Sequence, residues 1–265
     1  HRGISHALVF SPVWAAVATA LAWLVFRKAR LRPVFFFSWA AVLVAHLAAD
    51  LWTGWGTRIL LPFSDERWSL DYVSVIDPFF TLPLLVGALS ALFRRQRWRP
   101  ALLIGLAVST LYLGIRISSR TVLLHRVEAS YPSAERIEVF PALLSAFGWR
   151  YVAVLPEGYA TGRVSLFGAR EETKRQPLPE ALPLRAAENP TVAEALIWAR
   201  LPLISAAPAE DGSMEVRVAD LRYNIGGDPT LEFVILVGPE GETREAWMER
   251  GGNVLEVYER WRDDT

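Results

Sequence analysis

The sequence predicts a polytopic α-helical membrane domain at residues 1–130, followed by a small, mainly antiparallel β domain at residues 131–265. Four long apolar runs follow one another in residues 1–125, which contain 13 Lys/Arg and only 5 Asp/Glu. Residues 126–265 contain 15 Lys/Arg and 23 Asp/Glu, and their apolar runs are short, rich in β-branched residues and separated by turn pairs. The net charge of zero therefore combines a basic membrane part with an acidic soluble part, and neither favours nucleic acid as a partner.

The apolar runs predict four transmembrane helices. About twenty residues are needed to cross roughly 30 Å of hydrocarbon as a helix. The first run has no charge, the second contains His46 and Asp50, and the fourth ends near Arg116. The four predicted spans cover residues 7–26, 33–52, 75–93 and 100–117. Four such runs in series favour a membrane domain over a soluble helical core.

Basic clusters predict the orientation of these spans. Two short connections contain nearly all of the positive charge between helices: Arg27, Lys28, Arg30 and Arg32 in the first, and Arg94, Arg95, Arg97 and Arg99 in the third. Positively charged connections stay in the cytoplasm. The loop at residues 52–74 and everything after the fourth span are therefore expected outside.

Beyond the fourth span, residues 118–130 are expected to form an amphipathic helix along the membrane surface, with Val122, Leu123 and Val127 on its apolar side. The β domain then follows. Its predicted strands cover residues 136–140, 149–155, 162–167, 214–218 and 231–237. Residues 176–190, with four prolines, predict a linker, and residues 191–200 predict one short helix.

Ionisable side chains gather at one end of the predicted bundle. His46 and Asp50 are four residues apart, so a helix places both on one face. His1 and His6 stand before the first span, with Gly3 allowing a turn between them, and Asp77 precedes Pro78 at the start of the third span. Such groups are costly in a membrane and usually functional. We therefore predict a metal site of His1, His6, His46 and Asp50, with Asp77 as ligand or general base.

The composition narrows the chemistry of this site. The chain has no cysteine, so a metal would be held by imidazole, carboxylate or water, which suits zinc, and also manganese or iron, better than calcium. A bound water would then become a nucleophile at neutral pH. Less specific explanations stay open: a buried hydrogen-bonded His–Asp pair, an N-cap at Asp77, a surface role for His125, and interfacial anchoring by the tryptophans of the 52–74 loop.

Three blocks of the sequence resemble a known family. They read HRGISHA at 1–7, AHLAADLWTGWGTRILLPFSDERW at 45–68 and VIDPFF at 75–80. Together they are similar to the signature blocks of the YdjM-type family of inner-membrane proteins, with Ser5 and Ala7 where that family usually has Thr and Ser. The resemblance covers about the first 120 residues. It implies a metal-dependent hydrolase of the bacterial inner membrane, with phospholipid as the expected substrate. In that membrane, the outside position predicted for the C-terminal domain is the periplasm.

The resemblance also implies an upstream hydrophobic segment with a Pro-Asp-x-Asp motif whose aspartates would complete the ligand set. Because the chain begins at His1 and not at methionine, we expect such a segment to precede it. Two further hypotheses remain beside the hydrolase. One is a non-enzymatic membrane protein with a structural His/Asp cluster and a β domain that binds a partner. The weaker one is a metal or proton transporter.

Overall fold

The computed structural model describes residues 3–93, 98–168, 171–177, 181–209, 211–225 and 228–250. Internal contacts divide the chain into two units. The first consists of His1–Arg120 together with Phe140–Ala146, and the second of Thr121–Val139 together with Phe147–Thr265. The first unit is mainly helical, and the second contains the β-sheets except for the end of the first strand.

The first two helical segments form a hairpin. Helix α1 (Ser11–Val25) follows two short 3₁₀ turns, Ile4–His6 and Leu8–Phe10, and packs against α2 (Leu31–Ala41). Small side chains allow the two helices to approach closely: Ser11, Ala15 and Thr19 are buried at every fourth position of α1. The indole Nε1 of Trp39 on α2 donates a hydrogen bond to Ser11 Oγ at 2.8 Å. The α2 segment continues through a π-helix (Val42–Ala48) into α3 (Ala49–Trp52).

Two further helices pack against each other through glycine. In α4 (Pro78–Phe93) Gly87 lies beside Gly105 of α5 (Trp98–Ser130), and a Cβ built on Gly105 would lie 3.3 Å from the Gly87 Cα. One helical turn further along α5, Ser109 Oγ donates to the carbonyl of Phe80 at 2.8 Å. A close backbone contact and an interhelical hydrogen bond are typical of helices that pack in lipid.

Among the described residues, three helices are long and apolar enough to cross a membrane: Leu8–Val25, Leu31–Trp52 and Trp98–Ser130. The four predicted spans are therefore not all confirmed. The remaining helix, α4, is apolar but has 16 residues, which corresponds to about 24 Å. It is shorter than predicted because it begins at Pro78, where Asp77 caps it, so Val75 and Ile76 lie outside the helix.

Helix α5 is longer than predicted. Its 33 residues correspond to about 50 Å, well beyond the roughly 30 Å of hydrocarbon. The residues expected to form a separate surface helix are its last turns. Leu123 and Val127 are fully buried, but they pack into the core of the first sheet and not against lipid, and Val122 is exposed.

The predicted antiparallel β structure is confirmed as two four-stranded sheets. The first has the order β1-β2-β3-β4, and β2 pairs antiparallel with β3 from Gly148↔Ser165 to Leu155↔Gly158. Its core contains Trp149, and the hydroxyls of Tyr131 and Tyr151 share a hydrogen bond of 3.0 Å. Its strands are β1 (Arg136–Pro141), β2 (Gly148–Leu155), β3 (Gly158–Ser165) and β4 (Glu171–Pro177).

The second sheet has the order β10-β9-β6-β5 and is covered by helix α7 (Pro190–Trp198), which follows the short α6 (Leu184–Ala187). Val192 and Ala195 of α7 pack on the apolar face of β6 and β9. Asn189 caps α7, since its Oδ1 accepts hydrogen bonds from the backbone N–H of Thr191 and Val192. The strands are β5 (Pro202–Pro208), β6 (Met214–Asp220), β9 (Leu231–Val237) and β10 (Thr243–Arg250), and a separate pair forms between β7 (Asn224–Ile225) and β8 (Asp228–Pro229).

Candidate metal centre

The N-terminal turn presents His6 towards the second helical segment. Trp14 on α1 holds this turn, because its indole Nε1 donates to the Ser5 carbonyl at 2.8 Å. The Ser5 hydroxyl lies 2.9 Å from Nδ1 of the His6 ring. The other ring nitrogen, Nε2, lies 3.5 Å from Oδ2 of Asp50. One side of the imidazole is thus fixed by a hydroxyl and the other faces a carboxylate.

His46 and Asp50 come from one continuous helical segment, in which His46 lies within the π-helical turns and Asp50 in α3. The rings of His6 and His46 have centroids 4.9 Å apart with an interplanar angle of 42°. Each of the three residues offers one ligand atom, and these atoms lie within 4.8 Å of one another. Metal–nitrogen and metal–oxygen bonds of about 2 Å place two ligands up to about 4 Å apart, so the three atoms would have to approach one another by up to about 1 Å to bind one ion.

The π-helical stretch is the local feature that sequence periodicity does not predict. Seven residues, Val42–Ala48, follow the wider helical path, and π turns are frequent at functional sites. The wider turn changes where His46 points relative to Asp50. The predicted proximity of these two residues is found, although the backbone between them is not the regular α-helix from which it was predicted.

The 52–74 loop folds back over the end of this segment. The backbone N–H groups of Leu70 and Tyr72 donate to the carbonyls of Leu51 and Trp52 at 2.7 and 2.8 Å. Within the loop, Thr57 and Trp68 form an antiparallel bridge. The loop also holds the start of the first helix, because Leu8 N–H donates to the Ile59 carbonyl at 2.9 Å. Both segments that contribute to the candidate centre are therefore fixed by the same loop.

Asp77 lies in a different environment from these three residues. Its Oδ1 accepts from the N–H groups of Phe79 and Phe80 at 3.1 and 3.2 Å, and its Oδ2 accepts from the Tyr112 hydroxyl at 3.0 Å. The N-cap interpretation of Asp77-Pro78 is confirmed. Among the described residues, the metal-competent group contains His6, His46 and Asp50 without Asp77, so its role as ligand or base stays a prediction.

The remaining histidines and loop acids differ in their surroundings. His1 lies outside the described residues. His125 is exposed and pairs with Glu128 at 2.9 Å, in line with a surface role. Asp65 and Glu66 are exposed, as expected for solvated loop acids. Asp71 is different: it is buried, with its Oδ2 3.8 Å from an Arg120 nitrogen.

Arg116 is a functional candidate that the sequence did not reveal. It is fully buried, and its guanidinium donates to two backbone carbonyls, that of Tyr72 at 3.1 Å and that of Ala146 at 2.9 Å. A second hydrogen bond joins the same regions, from Ser74 Oγ to the Ala142 carbonyl at 3.2 Å. The chain between β1 and β2 is thereby fastened to the loop that closes the candidate centre.

Residues 1–123 match the family model of the YdjM inner membrane protein. The match confirms the resemblance seen in the three sequence blocks. Together with the three long apolar helices, it shows that this is a membrane protein.

A relative that extends beyond the YdjM-like part is the uncharacterized protein YfhP of Bacillus subtilis (strain 168). It is 24% identical over 259 residues, an alignment that covers 93% of this chain and 76% of YfhP. Similarity is therefore not confined to the helices, because the alignment must include most of the β domain. No solved structure matches the chain.

Proposed function

We propose that this protein is a membrane-bound metal-dependent hydrolase whose metal is held by His6, His46 and Asp50. The observation that supports this most directly is the convergence of three potential ligand atoms within 4.8 Å, from two segments at the end of the helical hairpin. His6 and Asp50 are partly buried and His46 is exposed. A site of this kind would be open to water on one side, as a catalytic site requires.

The donor set fits zinc. Two imidazole nitrogens and one carboxylate oxygen form one of the ligand sets of catalytic zinc, which leaves a fourth position for water or substrate. Manganese and iron accept the same donors. When bound, such an ion lowers the pKa of a coordinated water to about 7 and so supplies a nucleophile. His1 is proposed as a further ligand on the basis of sequence alone.

The residues around the donors would orient them. If the Ser5 hydroxyl accepts a hydrogen bond from His6 Nδ1–H, the ring is held in the tautomer whose Nε2 bears the lone pair. That lone pair faces the Asp50 carboxylate, and two acceptors facing each other at 3.5 Å are favourable only with a cation or a proton between them.

Asp77 is proposed as the general base.

Membrane phospholipids are the proposed substrate class. The donors lie just before one apolar helix and in the last turns of another, so in a membrane they would lie near the depth at which lipid phosphates meet water. Trp52 and Trp55 lie in the same loop region, with the half-exposed Trp68, and indoles favour the headgroup layer. The basic connections at residues 27–32 and 94–99 would then be cytoplasmic, and the β domain would be periplasmic.

Metal content measured on the full-length protein tests the proposal. The protein is purified in detergent, and its metals are quantified by elemental mass spectrometry beside a His46→Ala/Asp50→Ala double variant. The matched control is His125→Ala/Glu128→Ala, which removes another histidine–carboxylate pair on a helix. We expect about one zinc per chain in the native protein and the control, and a loss in the double variant.

Hydrolysis of a panel of phospholipids in mixed micelles is then measured on the same proteins. Retention of both metal and hydrolysis in the double variant would refute the proposal. Asp77→Asn addresses the general base separately, because asparagine also caps helices but does not accept a proton. A fully active Asp77→Asn variant would leave Asp77 with its capping role alone.

A non-enzymatic alternative is favoured by one distance. His6 Nε2 and Asp50 Oδ2 lie 3.5 Å apart, close enough for a protonated imidazole to pair directly with the carboxylate. In that case the cluster would be a hydrogen-bonded network that holds the N-terminal turn in place, and the β domain would act by binding a partner. Absence of metal in the native protein, even after metal is added, would favour this alternative.

A further inference from the structure

The chain between β1 and β2 presents apolar side chains at the edge of the membrane part. Leu143 and Leu144 are 40% and 42% exposed, and both lie in Phe140–Ala146, which belongs to the helical unit by its contacts. Just before α4, Val75 and Ile76 are 58% and 67% exposed. We name these four residues the apolar collar: Val75, Ile76, Leu143 and Leu144.

Two hydrogen bonds hold the two pairs of collar residues at the same depth along α5. Ser74 Oγ donates to the Ala142 carbonyl, so the residues that follow Ser74 and Ala142 in sequence flank the same contact. On the other side of the two leucines, Arg116 donates to the Ala146 carbonyl at 2.9 Å. The segment is thus fastened at both ends, and its apolar side chains lie between the two anchors.

The position of Arg116 gives the depth of this level. Arg116 lies 18 residues after the first residue of α5, Trp98, which corresponds to about 27 Å along the helix. The hydrocarbon layer is roughly 30 Å thick, and Trp98 and Arg99 are residue types that anchor at its boundary. The groups bound by Arg116 therefore lie at the opposite boundary of the layer that α5 enters at Trp98.

The backbone conformation of Leu144 indicates that a leucine side chain has a role at this position. Leu144 has φ of +55°, in the left-handed region that bulky residues rarely adopt and that glycine or asparagine would occupy without comparable strain. A leucine that is 42% exposed there gains only part of the free energy that full burial in a protein core would give. It gains free energy if the side chain enters an apolar environment outside the protein.

From these observations we infer that the apolar collar inserts into the lipid bilayer at the boundary opposite Trp98, so that the β1–β2 connection is a second membrane contact. The partner is lipid because the collar continues the exposed apolar surface of α4 and α5, on which Phe79, Leu82 and Leu111 are also exposed. This inference does not depend on the metal or on hydrolysis, and it assigns a membrane role to a segment of the chain beyond residue 123.

Single cysteines allow a direct test, since the chain contains none. The full-length variants Ile76→Cys and Leu144→Cys are spin-labelled and reconstituted into vesicles of phosphatidylethanolamine and phosphatidylglycerol. Collisions of the label with oxygen, which concentrates in lipid, are compared with collisions with a nickel chelate, which stays in water. Leu103→Cys, at an exposed position on α5, provides the lipid reference, and Glu240→Cys, in an exposed turn, provides the water reference.

We expect the labels at residues 76 and 144 to collide with oxygen as the lipid reference does and to lose most collisions with nickel. Nickel collisions as frequent as at Glu240 would overturn the inference. Weak collisions with both reagents would also overturn it, because they would mean that protein covers the collar. As a second measurement, Leu144→Asn keeps a residue suited to the left-handed backbone but removes the apolar side chain. With this substitution, a label at Leu143→Cys should become accessible to nickel.

Discussion

Replacing Gly105 by alanine should weaken the contact between α4 and α5. A Cβ at this position would lie 2.5 Å from the Pro83 carbonyl oxygen and 3.3 Å from the Gly87 Cα. Both are backbone atoms, so no side-chain rotation relieves the contact. Since ordinary contacts begin near 3.4 Å, the two helices would have to separate by about 1 Å, and gaps of that size forfeit a quarter to a half of the dispersion energy of the atoms involved.

The size of the effect is best measured against Gly114→Ala on the same helix. A Cβ on Gly114 meets no atom within 4 Å. Both substitutions gain about 1 kcal/mol of helix propensity, and only Gly105→Ala incurs overpacking, which costs about 1–3 kcal/mol. The propensity term cancels in the comparison. We therefore expect Gly105→Ala to be about 1–3 kcal/mol less stable than Gly114→Ala.

The assay is unfolding of the full-length protein in mixed micelles with an increasing fraction of sodium dodecyl sulfate, followed by circular dichroism. Gly87→Ala adds a stringent check, because its Cβ would lie 2.8 Å from the Ala101 carbonyl oxygen. One separation of the helices relieves both contacts, so the Gly87→Ala/Gly105→Ala variant should lose less stability than the sum of the two single variants. Equal stability of the two single-alanine variants at 105 and 114 would refute the packing described here.

Three further predictions concern polar contacts. Ser5→Ala should weaken zinc binding about 10–100-fold in competition with a chelator, because the hydroxyl next to His6 Nδ1 is lost, whereas Ser5→Thr should bind as the native protein does. Asp220→Ala should lower the free energy of unfolding by about 3–5 kcal/mol, since it leaves the buried Arg222 guanidinium without its carboxylate. As a control, Glu215→Ala at the more exposed Arg217 pair should lower it by only about 0–1 kcal/mol. Asn189→Ala should lower the stability of the β domain by about 1–2 kcal/mol, and a thermal midpoint unchanged from the native protein would contradict its capping role.

In the two four-stranded sheets, the strands that the sequence misses all lie at an edge. Of the five predicted strands, β2, β3, β6 and β9 are central, so their apolar runs are needed on the buried face, and β1 is an edge strand whose Val139 and Phe140 are buried. The strands β4, β5 and β10 lie at sheet edges, where polar or proline-containing sequences are suitable and protect against pairing with other chains. Periodicity alone could not detect β10, since all eight of its residues are exposed.

The candidate centre was predictable where it depends on side-chain type and unpredictable where it depends on the backbone. His46 and Asp50 follow from a spacing of four, and His6 follows from the expectation that the spans converge at one end. The π-helix leaves no signal in the order of apolar residues. The sequence predicts only the end of a span at Arg116, because the partners of this side chain are main-chain carbonyls, which any sequence could supply.

One face of α5 contacts α4, then loop carbonyls, and then the core of the first sheet. Six of its residues, spaced by three, four or seven positions, make successive contacts along it: Gly105, Ser109, Tyr112, Arg116, Leu123 and Val127. From Gly105 to Val127 the helix rotates by about 40° beyond whole turns, so these side chains form a nearly straight stripe. Their chemistry changes in order, from glycine to hydroxyl, phenol and guanidinium, and then to aliphatic side chains.

That order follows the surroundings of the helix. Where both neighbours are helices in lipid, close backbone approach stabilises the contact, and glycine provides it. Where the neighbours of α5 are loops, their main-chain carbonyls need hydrogen-bond donors, and the Arg116 guanidinium provides them. Beyond that point Leu123 and Val127 have a sheet to cover, and burial of apolar area is again what stabilises the contact. The apolar run ends near residue 117 because the groups that α5 contacts change at that point of the helix. The helix itself continues because the same face makes the contacts on both sides of that point.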